Sequence, residues 1–229
     1  NQLQSYFIHE VEKIVNRQGK QIIGWDEILD GGLAPNATVM SWRGEKGGIE
    51  AAKSGHSVIM MPNADTYLNY YQEDPEYAPI GSGSFLPIEQ VYSYEPIPAQ
   101  MNDRDKKYVL GMEAALWTPY MKNPDVVDYY MYPRFYAVAE VAWTPAEAKN
   151  YTDFLARIRK QYARLDLQQV KACRNYFDAY IDGAFNKRTR KFEVRITGMI
   201  PGSEIRYTTD GRIPTLASNV YSNPIVLHK

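Results

Sequence analysis

Two adjacent carboxylates, Asp26 and Glu27, close the short apolar run in "IIGWDEIL" (22–29). Neighbouring carboxylates at the end of a buried strand suggest a hydrolase, where one group hands over a proton and the other stays ionised. Three of the four tryptophans, Trp25, Trp42 and Trp117, fall at the carboxyl ends of predicted strands. Gathered on one face, these rings would wall a pocket. The stretch "PNADTYLNYY" (62–71) adds Tyr67, with a hydroxyl to present to that pocket, and Asn69, with an amide. Aromatic walls with a few polar groups suit sugars, because a ring face packs on C–H groups while its edge stays polar. The competing reading of any one ring is a core-capping residue; three at equivalent places favour the pocket.

Composition narrows the partners. With 26 basic and 27 acidic residues the formal net charge is -1 and no block of like charge stands out, so neither nucleic acid nor an anionic membrane surface is expected. Cys173 is the single cysteine, which excludes an intrachain disulfide and a cysteine-based metal cluster. His9, His56 and His228 are far apart in sequence, so no zinc site and no cofactor is expected. No run approaches the roughly 20 apolar residues of a membrane helix, so no membrane insertion is expected. The opening "NQLQSYFIHEVEKIVNRQGK" reads as the middle of something, and a missing N-terminal segment of the same protein is expected.

The elements that must position these residues alternate. Leu3, Phe7, Ile8, Val11 and Ile14 recur at helical spacing over 3–18, with Gly19 as a stop. Strands are predicted at "QIIGW", "TVMSW", "SVIMMP" and "YVLGMEAALW", and a short helix at "GGIEAAKSG". A long loop with short helical pieces runs over 63–107, and two further helices are predicted over 124–142 and 146–168. Strand–helix alternation predicts an α/β fold with a parallel sheet, doubly wound or barrel, whose sites lie at the carboxyl ends of the strands. From 183 to 229 the pattern becomes alternating with Pro-Gly, Asp-Gly and Asn-Pro turns, which predicts a small antiparallel β module. No G-x-S-x-G, G-x-G-x-x-G or P-loop is present to support an α/β-hydrolase or nucleotide enzyme.

The ordered set "IIGWDEIL", "VMSWRG", "GGIEAAKSGHSVIMMP", "TYLNYYQ", "LGMEAALWTPY" and "YPRFYAVAEVAWTP" resembles glycoside hydrolase family 20, the β-N-acetylhexosaminidases, over residues 1–170. The tail, with "IRYTTDG" before "YSNPIVL", resembles the C-terminal β module of bacterial chitobiase-like members. The resemblance implies a (β/α)8 TIM barrel, here only its last four strands and helices, followed by a small β-sandwich-like module at 183–229. The family's acid/base pair belongs to a His-x-Gly-Gly-Asp-Glu motif at the fourth strand. That motif is absent here and expected before residue 1, so by resemblance Asp26–Glu27 is not the catalytic pair but a helix-start pair framing Trp25.

The implied mechanism is substrate-assisted retention, in which the sugar's own acetamido oxygen attacks the anomeric carbon. The resemblance assigns Trp25, Trp42 and Trp117 to the wall around the acetamido methyl and Tyr67 to the acetamido oxygen. It implies an N-acetylhexosamine-containing glycan as partner and a periplasmic or secreted bacterial location. The chain alone is expected to be inactive. Two positions depart from the family pattern: Asn69 and Pro119 stand where acidic residues commonly contact sugar hydroxyls. Loss of negative charge there suggests a 6-sulfated or otherwise anionic sugar, with drift as the alternative. Glu113 is expected as a buried supporting group facing the barrel interior, and Arg134 with Glu140 as an ion pair. A non-catalytic carbohydrate-binding protein that keeps the pocket without the acid is the competing function.

Overall fold

The first segment forms α1 (Gln2–Arg17), and the chain turns at Gly19, whose φ of +67° carries no Cβ penalty in glycine. Four short apolar runs follow as β1 (Ile23–Trp25), β2 (Thr38–Ser41), then, after the crossover helix α2 (Glu45–Lys53), β3 (Val58–Met60). The connection to the fourth strand holds α3 (Asn63–Thr66), α4 (Ile88–Ser93) and α5 (Asp103–Lys106), and the strand itself is β4 (Val109–Met112). The four strands pair in chain order and all parallel, as a crossover helix between strands requires. The computed structural model describes residues 2–177, 179–198 and 202–227, which divide into two units, Asn1–Cys173 and Arg174–Lys229.

Register decides which side chains share a face. Val39 sits beside Val58, and Ser41 beside Met60; all four are fully buried on the face that α2 covers. Gly48 of α2 lies so close that an added Cβ would meet Met60 Sδ at 2.5 Å, so only glycine lets the helix seat against these strands. The core around Val39, Val58 and Met60 is completed by Ala51, Ala52, Ile28 and Met101. On the opposite face Ile23 and Leu110 are 58% and 63% exposed within this unit. Trp25 lies on that open face, two residues along β1 from Ile23.

Several expectations shift by a physical cause. The predicted strand "YVLGMEAALW" ends at Met112, with Leu110 the extra residue of a register shift opposite Val58 and Ile59 and Gly111 at φ +145°. Trp117 therefore stands in the following loop and not at a strand end, and Trp42 lies one residue past β2. The helix predicted over 124–142 is two, α6 (Pro124–Met131) and α7 (Arg134–Trp143), since Pro133 has no N–H to continue the ladder. The last predicted helix splits into a 3-10 turn, Ala146–Ala148, and α8 (Tyr151–Leu167), which Asn150 caps by accepting from Asp153 N. On α1 the predicted apolar residues Leu3, Phe7 and Ile14 are exposed, while Ser5 and Glu12 are buried and bond to Gly32 O and Asn36 N.

The second unit is antiparallel, as its alternating pattern predicts. β5 (Ala179–Asn186) and β6 (Lys191–Gly198) form a hairpin, β7 (Arg206–Tyr207) pairs with β8 (Asn219–Val220), and β9 (Ile225–Leu227) joins β6. Its first strand starts four residues before 183. Among the described residues no helix is long and apolar enough to cross a membrane.

Candidate active site

The first unit brings Trp25, Trp42, Tyr67 and Trp117 into one cluster at the carboxyl ends of the strands. Trp25 meets Trp117 at 6.1 Å between ring centroids, tilted by 45°. Trp117 meets Tyr67 at 6.2 Å, and Tyr67 stacks on Trp42 at 6.4 Å with planes 18° apart. Tyr70 closes on Tyr67 at 5.7 Å. Trp25 and Trp117 are 39% and 47% exposed within this unit, so neither ring belongs to its core.

Local backbone bonds set this meeting. Tyr67 and Ala115 form an isolated parallel bridge, with Leu68 N–H donating to Ala115 O at 2.7 Å and Ala115 N–H to Thr66 O at 3.0 Å. The loop that follows β4 is thereby stitched to the end of α3, which places Trp117 beside Tyr67. Ser41 is fully buried; its hydroxyl donates to Gly44 O and accepts from Gly48 N–H, which fixes the turn after Trp42. Gly44 adopts φ +124°, a region closed to side chains.

Asp26 and Glu27 open a 3-10 turn, Asp26–Leu29, as a helix-start pair should, and each holds part of the wall. Asp26 is buried and accepts from the backbone N–H groups of Trp42 and Arg43 at 3.2 and 3.1 Å and from Arg43 Nε at 2.6 Å. Glu27 accepts from the Trp42 indole N–H with both oxygens, at 3.1 and 3.0 Å. Both carboxylates are thereby engaged on Trp42 and Arg43.

Burial pushes the Tyr67 hydroxyl above its ordinary value; a side-chain hydrogen bond with Trp117 pulls the other way, and the charges of Glu27 and Asp26 add to the rise. The hydroxyl keeps its proton and remains a donor. Asn69 is buried, with Nδ2 donating to Ser82 Oγ at 2.6 Å and Oδ1 accepting from Trp117 N–H at 3.3 Å. Its amide braces the two loops that carry Tyr67 and Trp117. Pro119 is exposed.

Two expectations are corrected. Glu113 is exposed and not buried. Glu140 pairs with Arg157 at 2.7 Å and accepts from Tyr92 Oη at 2.9 Å, not from Arg134. Arg134, fully buried, instead donates to the carbonyls of Leu68, Tyr70, Leu86 and Tyr130, so it ties the Tyr67–Asn69 segment to α7. Sequence reasoning missed this clasp, the Glu27–Trp42 bond and the part of Ser82.

The sequence profile of the family described as glycosyl hydrolase family 20, catalytic domain, matches residues 1–146. The chain belongs to this family. A β-hexosaminidase of Porphyromonas gingivalis is 43% identical over 98% of this chain, and one of Vibrio furnissii is 34% identical over 60%. The chain spans 29% and 23% of the length of these two relatives. Among solved structures, the family 20 exo-β-N-acetylglucosaminidase of Vibrio harveyi in complex with N-acetylglucosamine is similar at a TM-score of 0.66 and 33% identity, over 75% of this chain and 27% of that one. The β-N-acetylhexosaminidase of Streptomyces coelicolor is similar at 0.67 and 26% identity, over 74% and 36%. With these family 20 neighbours, the parallel α/β unit is of TIM-barrel type. A profile described as Fn3 associated matches residues 194–229.

Proposed function

We propose that the protein carrying this chain hydrolyses terminal non-reducing N-acetylhexosamine residues from β-linked glycans by substrate-assisted retention. The observation that carries the reading is the open wall of Trp25, Trp42, Tyr67 and Trp117 inside a stretch that matches the family's catalytic domain. The parallel sheet, with β1 and β4 each paired on one side only and one face open, supports placing these residues as the last four strands of a (β/α)8 barrel. The two antiparallel sheets of the second unit support a sandwich-like module.

In this reading the acetamido carbonyl oxygen attacks C1 from one face while the glycosidic oxygen leaves with a proton from an acid. An oxazolinium-like intermediate forms, and water then adds at C1 with retention. The Tyr67 O–H donates to the acetamido oxygen and stabilises it as the attack geometry forms. The tryptophans hold the acetamido methyl and exclude water. The acid, and the group that orients the acetamido N–H, come from a part of the protein outside these residues, because Asp26 and Glu27 are occupied on Trp42 and Arg43.

The test is turnover of a nitrophenyl N-acetyl-β-glucosaminide by the whole protein, with the anomer of the first product read by NMR. The β-anomer is expected. Release of the α-anomer overturns the mechanism, and sugar binding without turnover gives the carbohydrate-binding reading instead.

A further inference from the structure

Glu27 makes the most specific side-chain contact in the cluster, and the chemistry proposed above gives it no part. An indole carries one N–H donor and no acceptor. When one carboxylate receives that N–H with both oxygens, at 3.1 and 3.0 Å, the direction of the ring in its own plane is set. The other end of Trp42 is set too, because its backbone N–H donates to the buried Asp26 at 3.2 Å. Tyr67 lies against the ring thus fixed, with planes 18° apart. Without Glu27 the indole N–H would have to turn toward solvent, and the stack would open.

We infer that Glu27 is a positioning residue for the sugar pocket: through the indole N–H it locks Trp42 parallel to Tyr67 and so limits the size of the N-acyl group the pocket admits. The inference rests on the proposed hexosaminidase function. Glutamine at this place keeps one acceptor oxygen; leucine keeps none. A locked wall fits an acetyl group, and a released wall makes room for a longer acyl chain. The lost charge-assisted bond is expected to appear as about a tenfold change.

The experiment uses the whole protein with Glu27→Leu and Glu27→Gln, each in the native and the Trp42→Phe background. On an N-acetyl-β-glucosaminide, Glu27→Leu is expected to lower kcat/KM about tenfold, with a rise in the ratio of N-propionyl to N-acetyl turnover. Glu27→Gln should recover most of both. In the Trp42→Phe background, which has no N–H to hold, Glu27→Leu should add nothing. The near-ultraviolet circular dichroism contributed by Trp42, read as native minus Trp42→Phe, should collapse in Glu27→Leu and persist in Glu27→Gln.

That spectrum reports the ring whether or not the protein turns over glycosides, so inactivity sinks the functional reading while the positioning role is still decided. An equal loss from Glu27→Leu in both backgrounds, or a Trp42 band that survives it, overturns the inference. Should Glu27→Leu fail to fold, Glu27→Ala in the two backgrounds decides: a lost Trp42 band with normal stability supports the lock, and a surviving band or an equal kinetic loss in both backgrounds overturns it.

Discussion

Tyr67 and Asn69 stand two residues apart and have opposite duties. Tyr67 keeps its proton because burial disfavours the phenolate. Under the proposed mechanism, Tyr67→Phe in the whole protein is expected to lower kcat by about 10²–10³, the usual cost of one donor to a developing oxyanion, with KM little changed. Loss of activity at alkaline pH should not begin with this hydroxyl, whose pKa lies above the ordinary value; a pH–kcat profile of Tyr67→Phe parallel to the native one checks this. Asn69 is a brace. Asn69→Ala orphans the Trp117 N–H and is expected to cost about 1–3 kcal/mol in denaturant unfolding. Asn69→Asp should cost little, because a carboxylate can accept from both Trp117 N–H and a Ser82 hydroxyl turned to donate. At this scale the four rings were legible in the sequence as aromatics at or just beyond short apolar runs, although only Trp25 ends a strand. The bonds of Asn69 and Glu27 were not, because they depend on where Ser82 and the turn at Gly44 return in space.

Arg134 joins elements that the sequence keeps far apart. Its guanidinium reaches carbonyls in the segment after α3, two residues before α4 and in α6. Arg134→Met leaves buried carbonyls without a donor, each costing about 1–3 kcal/mol, so the unfolding midpoint should fall steeply. Lysine, with a single compact charge in place of a five-donor fork, should not restore it. A Lys variant of native stability, measured by denaturant titration, would contradict the clasp. The strand–helix order was legible from short apolar runs alternating with helical spacing. The early end of β4 was not, because a register shift depends on the neighbouring strand. The exposed apolar side of α1 was not either, because periodicity gives a stripe without saying what covers it.

For the whole first unit, the tyrosines link folding to pH. Burial first of all raises the pKa of Tyr92, Tyr94, Tyr129, Tyr130 and Tyr151, with Tyr130 pushed up to about 12. The sign follows from linkage: the folded state binds these protons more tightly than the unfolded chain, whose tyrosines titrate near 10.0. Their contribution is complete below that value and is lost as pH rises through the folded pKa values. Stability is therefore expected to fall above about pH 10, and the tyrosinate absorbance contributed by the buried Tyr130, read as native minus Tyr130→Phe, should rise in step with unfolding and not before it. That Tyr130 contribution appearing while the near-ultraviolet spectrum stays native would count against it.

Cys173 closes the first unit. Its N–H donates to Tyr132 O, its carbonyl accepts from Tyr162 Oη, and its thiol lies 3.9 Å from Glu73 Oε1. Being the single cysteine and only 2% exposed, it is a chemical clock for this corner of the fold. An alkylating reagent has one destination, and it can arrive only when α6, α8 and the segment between them part. The labelling rate, compared with that of the unfolded chain, therefore measures how often this corner opens under native conditions. Slower labelling when a sugar analogue is added would mean that a ligand at the aromatic wall is felt, through the Arg134 clasp on α7, at a thiol it never touches.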